Sequence, residues 1–320
     1  MAAEREVAGD VSACESIVNV LCWHVHGSWM TAFVQGSHRY YIPVVEGRGP
    51  DGLGRARTWD WPPAAIEVTP EQIGDLDVDV VVLQRPRDLE LAEQWMKQRT
   101  PRVYVEHDIP MALPRPRHAM ADRDDMVIAH VTHLNRVLWD CGSTETTVIE
   151  HGIVDPGHRY RGDVAAAVAV INEPCRRWWE SGSDIVEEVR RSVAVDLFGI
   201  DSEPMGGCNL RQARLHDEMA RRRAYLHTFR WTSLGLTLIE AMQLGMPIAA
   251  LASTEAPGAV PAGAGLVTND VSALRSFVRD IVADPGRASE MGTIGRRAAL
   301  DRFGLGRFLR DWDHLLARVA

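Results

Sequence analysis

Short apolar runs alternate with helical stretches along most of the 320 residues. Ile17 to Trp23, Asp79 to Leu83, Val103 to Glu106, Met126 to Val131 and Thr146 to Ile149 read as strands, with helices over Leu89 to Gln98 and Leu134 to Trp139. An irregular stretch rich in Gly, Pro and Trp, Gly47 to Pro63, interrupts this first series. A second series begins near Val164. Its strands are Ala166 to Ile171, Val193 to Phe198, Ala224 to Leu226, Pro247 to Ala252 and Gly265 to Val267. Its helices are Asp184 to Arg191, Arg211 to Arg222, Leu236 to Leu244 and Ser272 to Val282, and Pro285 to Leu300 and Gly306 to Ala317 close the chain. Buried runs separated by helices imply parallel sheets covered on both faces. The pattern predicts an α/β chain of two doubly wound domains in tandem, residues 17–160 and 161–304, after a polar tail (1–16) expected to be disordered. The segment from Asp155 to Gly162 has linker composition. Ligands of such sheets bind beyond the carboxyl ends of the strands, so the cleft between the domains is the expected site.

Charge narrows the partners. Lys plus Arg is 35 and Asp plus Glu is 44, a net charge of −9. That balance argues against general affinity for nucleic acid or anionic membranes. Lys97 is the only lysine, so a phosphate site must use guanidinium groups, backbone N–H groups or helix ends. The five cysteines are widely spaced without a Cys-x-x-Cys, which excludes a disulfide framework and a zinc ribbon. Residues 1–15 are acidic and polar and the longest apolar run is Val164 to Ile171, so neither secretion nor a membrane span is expected, and a cytoplasmic location is.

The most specific segment runs from Leu226 to Ala250. A strand ends, a glycine loop follows, and a helix opens near Leu236, stopping at Gly245 with Pro247 beyond. Free N–H groups at Gly235, Leu236 and Thr237 make its N-terminus an anion site, and Gly235 admits a phosphate to the backbone. Glu240, one turn deeper, can accept both hydroxyls of a ribose. The alternative is a plain strand-loop-helix with Glu240 toward solvent.

This segment resembles the signature of the family 4 group of retaining glycosyltransferases with the GT-B fold, two Rossmann-like domains facing a central cleft. Glu240, Ala241, Met242, Gly245 and Pro247 match the family pattern in place. Its first glutamate, which contacts the donor sugar, falls at Thr232. The segment Val148 to Asp155 is similar to the strand end closing the family's first domain, with His151 where asparagine is usual. Counting back from Gly182 puts Arg176 at the family's diphosphate-binding arginine and Ser181 at its lysine, with Arg177 or Arg230 as substitute cations. Gly27 and Ser28 fall in the glycine loop after the first strand and would donate to the phosphate. His107 matches a histidine that contacts the transferred sugar; the alternative is a structural hydrogen bond. The last helix, 305–320, would cross back to the first domain.

The resemblance implies a retaining, metal-independent glycosyltransferase without a cofactor. It would move a hexose from a nucleoside diphosphate sugar to an acceptor hydroxyl, on a small molecule or a glycan. Two other readings stand beside it. Thr232 and Ser181 suit a relative that binds a nucleotide sugar without catalysis. His24 and His26, with His107, His130, His133 and His151, suit a metal-dependent hydrolase, which would need an eight-stranded barrel. Gly47 to Gly52 spells G-x-G-x-x-G, but Pro50 lies inside it and no helix follows, so it reads as a loop. Asp77-Val-Asp79 and Asp311-Trp-Asp313 read as solvated faces.

Overall fold

The computed structural model describes residues 17–111 and 116–320. The predicted tail, 1–16, with Cys14, lies outside the described residues. The first sheet holds β1 (Asn19–Cys22), β2 (Arg39–Pro43), β3 (Ala65–Val68), β4 (Val80–Leu83), β5 (Arg102–Glu106), β6 (Met126–His130) and β7 (Glu145–Val148), in the order β3-β2-β1-β4-β5-β6-β7. The second holds β8 (Val164–Val170), β9 (Val195–Phe198), β10 (Arg222–His227), β11 (Ile248–Leu251) and β12 (Gly265–Thr268), in the order β12-β11-β10-β8-β9. Every pairing is parallel. The strands thus form the two open sheets expected from the sequence and not the closed eight-stranded barrel that the metal-hydrolase reading would require.

Strand order locates the ligand crevice. In the first sheet the order reverses between β1 and β4, and in the second between β8 and β10. At such a switch point the loops diverge to opposite faces and leave a gap at the carboxyl ends of the strands. The gaps open onto residues 23–29 and 171–177, the segments where the sequence places its candidate loops.

In the first lobe the helices are α1 (Gly27–Phe33), α2 (Pro70–Ile73), α3 (Pro86–Trp95) and α4 (His133–Leu138). Helix α3 starts at Pro86 rather than Leu89. Buried Asp88 accepts from the backbone N–H groups of Gln84 (3.0 Å) and Arg85 (3.1 Å) and so fixes the earlier start. Strands β2 and β3 and helix α1 were not expected from the sequence. The stretch 47–63 is irregular as expected, apart from a short turn at its start, and Trp61 anchors it by donating to Thr31 Oγ1 at 2.9 Å.

The second lobe contains α5 (Trp178–Ser181), α6 (Ser183–Arg190), α7 (Gln212–Arg221), α8 (Leu236–Leu244), α9 (Ala256–Ala259), α10 (Val271–Ala283) and α11 (Pro285–Phe303). Helix α8 keeps the bounds read from the sequence. Gly245 ends it at φ 89°, where a β-carbon would meet the His158 ring. The chain closes with α12 (Leu305–Val319). Its Phe308, Trp312, Leu315 and Leu316 belong to the apolar cluster of the first sheet, and the Trp312 ring lies 4.9 Å from Phe33 and 5.5 Å from Trp29. At its start, Arg302 at the end of α11 pairs with Glu150, and Arg307 in the first turn of α12 donates to the carbonyls of Glu150 and His151. No described helix is long and apolar enough to cross a membrane.

Both Asp-x-Asp triplets have structural partners. Asp79 accepts from the Asn19 N–H at 2.7 Å, Asp313 contacts His38 at 3.1 Å, and Asp311 pairs with Arg307. Among the described residues, no group of three or more His, Cys, Asp or Glu side chains is arranged to hold a metal ion.

Candidate active site in the interlobe cleft

Helix α8 opens at Gly235, whose backbone is extended, and no side chain caps it. The first turn of a helix has N–H groups without intrahelical acceptors, and here they are offered to the cleft. Gly235 is needed for a reason the sequence does not reveal: a β-carbon there would sit 2.9 Å from Cε1 of His227. His227, at the end of β10, is fully buried, and burial lowers its pKa to about 4.

The cleft holds three adjoining cavities. The inner one, about 360 Å³, is lined by Gly27, Ser28, His107, Arg177, Thr232 and Gly235 to Thr237, among others. A second, about 200 Å³, continues from Ser28 and Thr237 past Asn172, Gly199 and Gln212 to Glu240. A third, about 390 Å³, extends outward from Thr232 and Arg177 to Arg176, Glu180 and Trp231. A larger cavity of about 580 Å³ lies elsewhere, along the amino ends of β5 and β6, far from these groups. The interlobe cavities, unlike this one, sit at the carboxyl ends of the strands, where doubly wound sheets bind ligands.

Glu240 faces the cleft rather than bulk solvent, with its side chain 6% exposed. Its Oε1 accepts from Gln212 Nε2 at 3.0 Å and, across the cleft, from Ser28 Oγ at 3.5 Å. His216 Nε2 lies 3.3 Å from Oε2. Gln212 and His216 are i and i+4 on α7, so one helix face delivers both. Neither was singled out in the sequence, where that spacing on an amphipathic helix is the only sign of them.

The cations divide differently from the sequence expectation. Arg177 lines both the inner and the outer cavity, with its Nε 3.2 Å from Glu180 and its guanidinium 5.7 Å from the Phe229 ring. Arg176 reaches only the outer cavity. It is 68% exposed and paired with Glu173 at 2.7 and 2.5 Å. Arg230 lines none of the three. It forms a bidentate pair with Asp184, both contacts 2.7 Å, and stacks 4.0 Å over Trp179. Ser181 is fully buried, with its hydroxyl donating to the Arg177 carbonyl, so that position offers the cleft nothing.

Imidazoles crowd the inner cavity. His26 and His107 have centroids 4.0 Å apart, and His107 and His151 stack at 6.4 Å. Burial, aided by the neighbouring rings, holds His107 well below the ordinary imidazole range, and it lowers His151 to about 3. Both are therefore neutral near pH 7. Gln84 donates its Nε2 to the Trp23 carbonyl at 2.7 Å, which turns its Oε1 toward His107 Nε2 at 3.1 Å. His107 Nε2 must then carry the proton, and Nδ1 is left as an acceptor.

No family model matches the chain. Among solved structures, sucrose-phosphate synthase of Thermosynechococcus elongatus aligns over 94% of this chain and 98% of its own, with TM-score 0.67 and 14% identity. The HepE protein of Anabaena, solved in complex with UDP and glucose, aligns over 94% and 99%, with TM-score 0.68 and 14% identity. The fold is GT-B. A curated relative, the GDP-mannose-dependent α-(1-6)-phosphatidylinositol monomannoside mannosyltransferase of Mycolicibacterium smegmatis, is 42% identical over 73 residues. That match spans 22% of this GT-B chain and only 19% of the relative.

Proposed function

We propose that this GT-B chain is a retaining glycosyltransferase of the family 4 type, moving a hexose from a nucleoside diphosphate sugar to an acceptor hydroxyl without a metal ion. The observation that carries this reading is the run of cavities joining the uncapped start of α8 to Glu240. It joins backbone donors suited to a diphosphate to a carboxylate suited to ribose hydroxyls. Glu240 takes the ribose hydroxyls, which replace the long Ser28 contact to its Oε1 while Gln212 keeps the carboxylate in place. The diphosphate lies against the N–H groups of Gly235, Leu236 and Thr237, with Gly27 and Ser28 closing from the other lobe. The UDP complexes of structural neighbours and the nucleotide donor of the mannosyltransferase relative support this reading.

In the reaction, the bond from the anomeric carbon to the diphosphate oxygen breaks, and the acceptor oxygen bonds to the same face of the sugar. The acceptor proton passes to the departing phosphate. Charge grows on that phosphate, so the residues that accelerate the step are donors already aimed at it: the α8 amides and Arg177. Removing one such donor typically costs about 3–4 kcal/mol of barrier. His107, neutral, accepts a hydroxyl of the transferred sugar through Nδ1. Fixed donors and dipoles aimed at the leaving phosphate do the work, and no protein nucleophile is required.

A second reading, a binding protein without turnover, is favoured by the burial of Ser181 and the pairing of Arg176, which leave Arg177 as the cation lining the inner cavity. A panel of UDP-, GDP-, ADP- and TDP-sugars separates the readings. Glycosyl transfer expects one base to raise the melting temperature and its donor to be consumed, by transfer or slow hydrolysis. Stabilisation without consumption would leave the binding protein, and no stabilisation by any nucleotide would remove both.

A further inference from the structure

Two segments from opposite lobes are tied together at the mouth of the cleft. Ser233 Oγ donates to the His107 carbonyl at 2.8 Å, and Trp231 Nε1 donates to the Pro110 carbonyl at 3.1 Å. Thr232 lies between the two tied residues of one lobe, and Asp108 and Ile109 lie between those of the other. Both Asp108 and Thr232 line the inner and the outer cavity, so they stand on the wall the two spaces share.

Among the described residues, Asp108 supplies the one carboxylate lining the inner cavity. Its main chain is committed: the N–H donates to Glu106 Oε1 at 2.7 Å, and the carbonyl accepts from Trp139 Nε1 at 2.8 Å. Its side chain is exposed and, among the described residues, makes no hydrogen bond or ion pair. The backbone is thus held on both sides while the carboxylate is left unpaired at the wall of the inner and outer cavities. A sugar there presents several hydroxyls, each a donor in need of an acceptor, and an ionised carboxylate is the strongest acceptor available in the side-chain inventory.

We infer that Asp108 binds the hydroxyls of the donor sugar, acting across the cleft from Thr232, and that it selects neutral, hydroxylated sugars over anionic ones. This assignment rests on the glycosyltransferase reading. The selectivity follows from charge, because a second carboxylate on the sugar would be placed beside the first. Trp231 and Ser233 act on the same contact by fixing where the opposing lobe stands.

The test is calorimetry with paired ligands, the nucleoside diphosphate and the matching nucleotide sugar, on the full chain. The wild type is expected to bind the sugar nucleotide more tightly than the diphosphate alone. Asp108→Ala should lose about 10- to 100-fold of that difference while its affinity for the diphosphate stays unchanged. Asp108→Asn should retain part of the neutral-sugar contact and bind a hexuronate donor better than the wild type. Because Thr232 faces the same space, Asp108→Ala combined with Thr232→Glu should regain neutral-sugar affinity. An undiminished sugar increment in Asp108→Ala would overturn the assignment and leave the glycosyltransferase reading intact. No diphosphate binding by the wild type would overturn both.

Discussion

Ser28 of the first lobe and Glu240 of the second meet across the cleft, with Ser28 Oγ donating to Glu240 Oε1 at 3.5 Å. The contact is long for an O–H···O bond, and Gln212 at 3.0 Å holds the same oxygen more closely. Glu240 is thus kept in place by its own lobe and only touched by the other, so a ribose can replace Ser28 cheaply. Ser28→Ala is expected to change nucleoside diphosphate affinity by less than about threefold, whereas Glu240→Ala should weaken it by about 10- to 100-fold, since hydrogen bonds to charged groups contribute roughly 1.5–3 kcal/mol. Titration calorimetry on both variants gives the comparison; equal losses would contradict the dominant role of Glu240 in holding the ribose.

The three arginines near the cleft are expected to separate by role. Arg177→Ala should lower kcat/KM by about 100-fold or more, as loss of a donor to the leaving phosphate. Arg176→Ala should leave kcat/KM within about threefold, because its guanidinium is exposed and paired with Glu173. Arg230→Ala should lower the melting temperature, through loss of the Asp184 fork and the Trp179 stack, with little kinetic effect. Steady-state kinetics beside thermal melts on the three variants tests the order.

The gap between Arg176 and Arg177 shows where the sequence runs out. Counting back from Gly182 reaches the right turn of chain, but a one-residue shift at the start of the four-residue helix α5 decides which side chain faces the cleft, and only tertiary packing sets that rotation. Helix α8, in contrast, is legible to its ends, because Gly235, Gly245 and Pro247 each do a distinct steric job. Strand β2 is obscured by Arg39 at its start and Pro43 at its end. Strand β3 contains Glu67, a charge that makes sense only beside Arg48 at 2.7 Å and the Arg55 N–H at 2.8 Å. The Gln212–Glu240 contact and the Asp108–Thr232 apposition join residues far apart in the chain, so no local pattern announces them.

Gly235→Val should damage the site without unfolding the lobe. A β-carbon there meets His227 at 2.9 Å, and a branched side chain also occupies the phosphate approach. Diphosphate affinity is expected to fall at least about tenfold, with the far-ultraviolet circular dichroism unchanged. Retained affinity would show that the anion lies elsewhere.

Stability is expected to fall as the solution is acidified from pH 7 to pH 5. Burial lowers His130 and His227 to about 4 and His151 to about 3. In that window the unfolded chain, with histidines near 6.5, takes up protons that the folded chain does not, so acid favours unfolding. Each such histidine costs about 2 kcal/mol at pH 5 relative to pH 7. Urea midpoints at the two pH values measure this, and a flat profile would contradict the neutral, buried state of these rings.

Trp312→Ala should destabilise the chain by about 3–5 kcal/mol, as expected for an aromatic removed from a packed core. Trp312 is buried against Phe33 and Trp29, so the loss falls on the first lobe although the residue belongs to the last helix. Chemical denaturation measures the cost; a change under 1 kcal/mol would mean that α12 contributes little to that core.

The most direct measurement is a crystal structure of the full chain with a bound nucleoside diphosphate. The account predicts phosphate oxygens within hydrogen-bond distance of the Gly235, Leu236 and Thr237 amides, and both ribose hydroxyls on Glu240. A nucleotide seated in another cavity, or one in this cleft that leaves those amides unengaged, would contradict it.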